Sequence, residues 1–247
     1  GSSLVGSEMC IRDRNNFTWK ISIITTTPEL FPGPLQYSNI GKSLAEGKWS
    51  LEIIPLEKRQ NNKKVKIDGS PAGGGPGMIM RADIVLPIIN NMRQNGDTRP
   101  LIVPAARGTK YDQKITKDLV KNEGLIFLCG RFEGIDQRII ESTGALELSI
   151  GDYILTNGDI AAINIIDSCV RLLDGVLSSK ASKENESYED GLLEYPQYTL
   201  PREYGGLKIP DVLLSGDHGA ISKWRFSQSL LTTEKNRPDL YLSLIHI

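Results

Sequence analysis

Cysteine and histidine are scarce in this 247-residue chain, which has three cysteines, Cys10, Cys129 and Cys169, and two histidines, His218 and His246. An odd count at wide spacing builds no disulfide framework, and no cysteine pair has metal-ligand spacing. Two histidines cannot by themselves make a metal site or a catalytic triad. Cys129 ends an apolar stretch and Cys169 falls in a helical apolar pattern, so both read as small buried hydrophobes rather than nucleophiles. This usage fits a reducing cytoplasm. Apolar runs of the ~18 residues that a membrane span needs are missing; a soluble protein with no membrane partner is expected. A charge excess is missing too, because 29 Lys and Arg stand against 30 Asp and Glu, leaving a formal net charge of −1. That balance argues against a surface coated in cations to grip nucleic acid, and no DNA partner is expected. Any RNA contact would come from local patches: Lys58, Arg59, Lys63, Lys64 and Lys66, or Arg202, Lys208, Lys223 and Arg225. Each reads equally well as a solvated face.

What is present begins with 39% hydrophobic residues, enough for a true core in one large or two modest domains. Trp19–Thr25 alternates and is rich in isoleucine, which predicts a first strand, followed by a turn over 28–32 and a short helix to about Gly47. Trp49–Pro55 reads as a second strand and residues 57–77 as a long polar, glycine-rich loop, a length usually functional or disordered. Residues 84–95 read as a helix, 100–104 as a short buried strand and 112–122 as an amphipathic helix. Strands over 125–129 and 146–150 complete a sheet. Asp159 can cap a helix that puts Ile163, Ile166, Val170 and Leu173 on one face before Gly175 ends it. Strands alternating with helices predict an α/β fold, a mostly parallel sheet with helices on both faces. Residues 178–190 turn Ser-, Lys- and Glu-rich and read as a linker, and the short segment after them carries one clear helix over 221–231.

The densest chemical signal lies between Leu125 and Asp159. One strand runs into Cys129-Gly130-Arg131-Phe132-Glu133-Gly134-Ile135-Asp136, another into Ser149-Ile150-Gly151-Asp152-Tyr153-Ile154-Leu155-Thr156-Asn157-Gly158-Asp159. Glycine turns at strand ends let a backbone approach a ligand and offer free N–H and C=O groups, and crevices at the carboxyl ends of parallel strands are where α/β proteins bind ligands. Spacing alone suggests a nucleotide-like pocket. Gly130-x-x-x-Gly134 is not the Gly-x-Gly-x-x-Gly fingerprint of a dinucleotide oxidoreductase, and Gly73-Gly74-Gly75-Pro76-Gly77 lacks the Gly-Lys-Ser/Thr ending of a phosphate-gripping loop.

Three further motifs accompany these turns: Asp68-Gly69-Ser70-Pro71-Ala72-Gly73-Gly74-Gly75-Pro76-Gly77-Met78-Ile79-Met80, Tyr195-Pro196-Gln197-Tyr198-Thr199-Leu200-Pro201 and Val212-Leu213-Leu214-Ser215-Gly216-Asp217-His218. Together, from about Trp19 to Leu240, they resemble the bacterial tRNA (guanine-N1)-methyltransferase family, of the knotted SPOUT superfamily of S-adenosylmethionine-dependent enzymes. The resemblance implies a deep C-terminal trefoil knot formed by the loops from roughly Pro104, Gly130 and Ser149 onward, plus a small helical C-terminal domain that grips the tRNA anticodon arm. It implies methyl transfer from S-adenosyl-L-methionine to N1 of the guanosine immediately 3′ of the anticodon, in a homodimer, with Mg²⁺ used though no ligand cluster is visible. Five segments are expected: a non-family extension over 1–16, the knotted domain over 17–177, the linker over 178–190, the tRNA-binding domain over 191–240 and a non-family tail over 241–247. Both ends resemble adaptor-encoded sequence, and residues 1–14 have neither the apolar core nor the cleavage site of a signal peptide.

The same resemblance places the cofactor on Pro104, Ala105, Gly130, Glu133, Ser149, Ile150, Gly151, Asp152, Tyr153, Ile154, Leu155, Asn157 and Gly158. It places the substrate on Asp68, Ser182, Ser215, Asp217 and His218, with Trp224 and Arg225 beside them. Glu186, standing where the family has an aspartate before Ser-Phe, would be the general base, and Arg171 would stabilise charge on guanine O6. Leu200 stands for the usual arginine of Tyr-Thr-Arg-Pro, Asp174 for a proline, Ala72 for a tyrosine and Thr156-Asn157-Gly158-Asp159 for Ser-Gly-Gly-Glu. A knotted methyltransferase acting on ribosomal RNA and a noncatalytic RNA-binding protein of the same fold remain open alternatives.

Overall fold

The computed structural model describes residues 18–56, 59–60, 63–131, 133–177, 186–188 and 191–245. The chain divides into two compact units, residues 1–177 and 178–247. In the first, a five-stranded sheet runs in the order β2-β1-β8-β7-β9, with β1 at Trp19–Thr25, β2 at Trp49–Pro55, β7 at Leu101–Lys110, β8 at Gly124–Leu128 and β9 at Leu146–Ser149. Every pairing within it is parallel. All five residues of β8 are buried, as a central strand covered on both faces requires. Its side chains alternate between two clusters. Leu125 and Phe127 join Trp19, Ile21, Ile23, Ile163 and Ile166 on one face; Ile126 and Leu128 join Val85, Ile89, Val103 and Ile139 on the other.

Helices α1 (Ser38–Ala45), α3 (Gln113–Val120) and α5 (Asp159–Val170) supply residues to the first cluster, and α2 (Ala82–Gln94) and α4 (Gln137–Thr143) supply the second. The long loop after β2 is not featureless. It holds two-residue antiparallel ladders, β3 (Arg59–Gln60) with β4 (Lys63–Lys64) and β5 (Asp68–Gly69) with β6 (Ile79–Met80). Helix α4 was not anticipated, although Asp136 caps it by accepting from Arg138 N and Gly144 closes it at φ 66°. Strand β7 runs six residues beyond the expected end at Pro104, to Lys110. The chain bulges after Pro104 and then rejoins β9, pairing Thr109 with Leu148 and Lys110 with Ser149.

Asp159 does not cap α5. Gly158 occupies the cap position with no side-chain cap bond, and the Asp159 carboxylate accepts instead from Thr25 Oγ1 at 2.6 Å and Thr27 Oγ1 at 3.0 Å. Leu173 lies beyond the end of α5, in the turn that follows.

The second unit carries a two-stranded ladder of β10 (Glu203–Tyr204) and β11 (Leu207–Lys208), then α6 (Asp211–Leu214), α7 (His218–Asn236) and α8 (Pro238–Ile245). Helix α7 extends past both ends of the expected 221–231, starting at an Asp217 cap whose side chain accepts from Gly219 N and Ala220 N. Helix α8 continues across the boundary expected at 240.

Candidate active site

The connections after β7 and β8 run in opposite directions along the sheet, since β8 lies on one side of β7 and β9 on the other. Loops leaving the carboxyl ends of such strands diverge and open a crevice. Here the crevice is a cleft of about 1150 Å³, walled by three stretches: 103–107 from the β7 bulge, 130–138 after β8 except for the undescribed Phe132, and 147–158 around the end of β9 except for Asp152. The short ladder around Asp68 and Met80 closes a fourth side. The volume exceeds the ~300–1,000 Å³ usual for a small-ligand pocket, leaving room for a nucleoside-sized ligand and an incoming base.

Main-chain contacts hold these walls together. Gly158 N donates to Gly130 O at 2.8 Å, Glu133 N to Met78 O at 3.0 Å and Met80 N to Gly134 O at 3.0 Å. At Gly158 a Cβ would stand 3.0 Å from Gly130 N, so only glycine allows this approach without displacing backbone. Gly77 takes φ 80° and packs against the Glu133 side chain, joining the glycine-rich loop to the loop after β8. Ile154, 82% exposed, and Leu155 give the cleft apolar wall, while Asp68, Glu133 and main-chain groups give it polar wall.

All the expected cofactor residues line this cleft except Asp152. Asp152 sits at the centre of a three-residue turn closed by Tyr153 N donating to Gly151 O at 2.9 Å, and it is exposed. Asp68 lines the cleft as expected. Of the cations on the rim, sequence reasoning singled out Lys66 as part of a basic patch and missed the four arginines. Lys66, Arg81, Arg107, Arg131 and Arg138 all line the cleft, with Arg107 bonded to Glu147 at 2.8 Å and Arg138 to Asp136 at 2.6 Å. The Arg138 guanidinium, by direct hydrogen bonding, holds the Asp136 carboxyl below the usual carboxylate range. Their alternation with acids in the sequence hides them, because a patch search looks for cations in runs.

Arg171 follows α5 as its C-terminal cap residue. Burial raises the nearby Asp167 carboxyl, and the Arg171 guanidinium opposes that rise. Cys129 and Cys169 are buried. Burial lifts the Cys129 thiol well above its ordinary value, with the Asp159 carboxylate adding to the effect, and burial pushes Cys169 up to about 12. Neither is a thiolate nucleophile.

In the second unit, Glu186 opens a short described stretch that is tied down locally. Ser187 Oγ accepts from Glu194 N at 2.9 Å, and Tyr188 N donates to Leu192 O at 2.8 Å. Tyr188 takes φ 76°, a left-handed conformation uncommon for a bulky residue. Ser182 lies outside the described residues. Ser215 and Asp217 serve the local fold: Ser215 Oγ donates to Val212 O and accepts from Asp217 N, and Asp217 caps α7. His218 is exposed. Nearby, Arg225 lies over the Tyr195 ring at 4.9 Å, and Tyr198 meets Trp224 with ring centroids 6.2 Å apart.

Residues 19–243 match the profile of the family described as tRNA (Guanine-1)-methyltransferase TrmD. The chain belongs to this family. Among relatives within it, the protein named tRNA (guanine-N(1)-)-methyltransferase of Rhodopseudomonas palustris (strain TIE-1) is 46% identical over 224 residues, 91% of this chain and 90% of the relative. The same-named protein of Brucella ovis is 47% identical over 220 residues, covering 89% and 90%, and that of Agrobacterium fabrum is 45% identical over 223 residues, covering 90% and 96%. Membership in the tRNA (guanine-1)-methyltransferase family sets aside the ribosomal-RNA alternative. Among the described residues no helix is long and apolar enough to cross a membrane.

Proposed function

We propose that this chain transfers the methyl of S-adenosyl-L-methionine to N1 of the guanosine immediately 3′ of the anticodon of tRNA, working in the cytoplasm as a homodimer. One observation carries the reading: in a member of this family, three strand-end loops bring main-chain groups and apolar side chains together around a single cleft.

The cleft suits an adenosyl ligand on two grounds. Among the described residues Asn157 Oδ1 is buried without a hydrogen-bond partner, an acceptor that a ligand amine would satisfy. The Gly130–Gly158 approach also leaves a wall with no side chain, against which a flat ring can lie. Bound there, S-adenosyl-L-methionine supplies an electrophilic methyl on a sulfonium, already an excellent leaving group. The protein's tasks are then to position, to deprotonate and to stabilise. Ile150, Tyr153, Ile154 and Leu155 exclude water from the ring, and backbone groups of Gly130 and 149–158 orient it. Asp68 and the glycine-rich loop face the incoming guanine. Glu186 takes the N1 proton; Arg171, at the opposite end of α5 from the cleft and outside its lining, is assigned to the negative charge that develops on O6 by the resemblance alone. Among the described residues no three His, Cys, Asp or Glu side chains gather to hold a metal.

The three loops, returning past one another at the sheet edge, are read as the trefoil knot that the resemblance implies. Exposed apolar side chains on the first unit, Tyr37, Ile154 and Ile160, support burial against a second copy. The second unit, with exposed Arg202, Lys208, Lys223 and Arg225, is assigned to the anticodon arm, and 178–190 to the linker carrying the base. Methyl transfer from labelled S-adenosyl-L-methionine to tRNA transcripts with and without guanosine at that position is the direct test. Turnover confined to the guanosine transcript is expected, falling about 10²–10⁴-fold in Glu186→Gln. No turnover in the parent would favour the noncatalytic reading, and full turnover in the variant would remove Glu186 from the role of base.

A further inference from the structure

We infer that Asp159 is a positioning residue for the cofactor cleft: a buried carboxylate that sets the spacing of the Gly130–Gly158 wall without touching the ligand. The inference rests on the cleft being the cofactor site, as proposed above. Asp159 is 1% exposed, and a buried carboxylate needs full compensation. It receives three kinds. Thr25 Oγ1 donates to Oδ1 at 2.6 Å and Thr27 Oγ1 to Oδ2 at 3.0 Å. The protonated Cys129 thiol lies beside the same group. Asp159 is also the first residue of α5, where the helix dipole favours negative charge.

These partners come from three separate elements, whose main chains also meet where Cys129 N donates to Ile24 O at 2.9 Å and Gly158 N to Gly130 O at 2.8 Å. Thr25 ends β1 and Thr27 follows it, Cys129 immediately follows β8, and Asp159 immediately follows the strap 150–158. Thr25 is itself fixed, since its hydroxyl accepts from Thr27 N at 3.0 Å and its carbonyl from Leu56 N at 2.7 Å. One carboxylate therefore ties the ends of two strands to the start of the helix. The residues directly adjoining the tie, Gly130 after Cys129 and Gly158 before Asp159, are the ones whose main chains meet in the cleft wall. If the tie loosens, Gly158 N and Gly130 O separate and the wall opens, although no group in contact with the ligand has changed.

The experiment titrates S-adenosylhomocysteine calorimetrically into the full chain, well below each variant's melting temperature. The proteins compared are the parent, Asp159→Asn, the pair Thr25→Val with Thr27→Val, and Leu119→Ala as a destabilised core control. Asp159→Asn and the threonine pair are each expected to weaken binding about tenfold, the order seen when a supporting hydrogen bond behind a binding group is removed. Both should raise KM for the methyl donor while tRNA affinity stays at the parent's. Leu119→Ala should melt lower yet bind as the parent does. Parent-like binding by variants that melt lower would make Asp159 a structural tie only and overturn the inference. A parent that fails to bind would instead overturn the cofactor reading beneath it. Should Asp159→Asn not fold, the threonine pair, which leaves the carboxylate in place, carries the test alone.

Discussion

Gly158→Ala isolates the close approach on which the cleft wall depends. Gly158 has φ −78° and ψ −11°, a conformation alanine adopts freely, so the substitution carries no backbone strain and its effect is steric. The added Cβ would lie 3.0 Å from Gly130 N, 3.3 Å from Cys129 Cα and 3.4 Å from Gly130 O. All three are main-chain atoms that cannot rotate aside, and Cys129 is sealed in the core at 1% exposure. The strap must therefore retreat by a few tenths of an ångström, stretching the 2.8 Å bond from Gly158 N to Gly130 O. Overpacking of this kind costs about 1–3 kcal/mol. Each kcal/mol lowers the melting temperature by about 2–4 °C in a chain of this size. Because the displaced atoms form the ligand wall, S-adenosylhomocysteine should also bind about tenfold more weakly, equivalent to about 1.4 kcal/mol. Calorimetric melting and titration read the two effects separately. Gly144→Ala is the control, since its φ of 66° brings strain with nothing near the added methyl and it lies outside the cleft lining; it should melt lower and bind normally. Unchanged melting and unchanged binding in Gly158→Ala would refute the close packing of the strap on Gly130.

Two other substitutions separate structural from functional roles. Arg99 holds Asp97 through Nε at 2.9 Å and Nη2 at 2.6 Å and also donates to Lys20 O and Ser22 Oγ; Arg99→Ala should cost about 2 kcal/mol in urea melts near neutral pH. Because hydrogen bonding from Arg99 first of all lowers the Asp97 pKa, the carboxylate's share of that stability is present above its unfolded value of about 3.9 and is lost as pH falls through the lower folded value. The gap between parent and variant should shrink as pH falls below that unfolded value yet persist, since the bonds to Lys20 and Ser22 do not titrate; a gap that widens would contradict the pairing. In the second unit, Asp217→Ala should destabilise α7 by about 1 kcal/mol while Asp217→Asn, still a good cap, stays near the parent. If Asp217 also contacts tRNA through its charge, filter binding will show Asp217→Asn weakened; equal affinity would leave it a cap alone.

How much of this was legible in the sequence depended on how local the cause was. Trp19–Thr25 and the solid apolar run before Cys129 were readable because isoleucine-rich and apolar runs mark strands covered on both faces; the alternation read into Trp19–Thr25 is not an alternation of burial, since every residue but Lys20 is buried. The second half of β7 was not readable. Ala105 to Lys110 has no apolar alternation, and it is a strand only because β9, almost forty residues later in the chain, offers it a partner. Helix α4 had a readable Asp136 cap but only Ile139 and Ile140 as an apolar signal, too short for periodicity to distinguish from a turn. The cleft was legible as glycine punctuation, since glycine at a strand end has few other uses. The arginines of its rim and the threonine tie were not, because their members are scattered from Thr25 to Asp159 and meet only through the sheet order.

Asp159 shows why a local rule can name the right residue and the wrong partner. Aspartate at a helix start is read as a cap because an exposed N-terminus leaves its N–H groups to be satisfied by the nearest side chain. The start of α5 is not exposed. It is packed against the end of β1, where two threonine hydroxyls compete for the carboxylate, and the cap position falls to Gly158. A wall made chiefly of main chain also explains how the strap can read Thr156-Asn157-Gly158-Asp159 rather than Ser-Gly-Gly-Glu. The close approach asks for glycine at Gly158 alone, and that glycine is retained. Asn157 then adds a side-chain acceptor where the family motif has none. The terminal acid keeps its charge but loses a methylene, and Thr25 and Thr27 meet the shorter carboxylate at hydrogen-bond distance. Asp159→Glu would push one more methylene into a site with 1% exposure. It should destabilise this chain by about 1–3 kcal/mol even though it restores the family residue. Stability unchanged or improved on thermal melting would mean that the fit between acid and threonines is looser than the 2.6 Å bond implies.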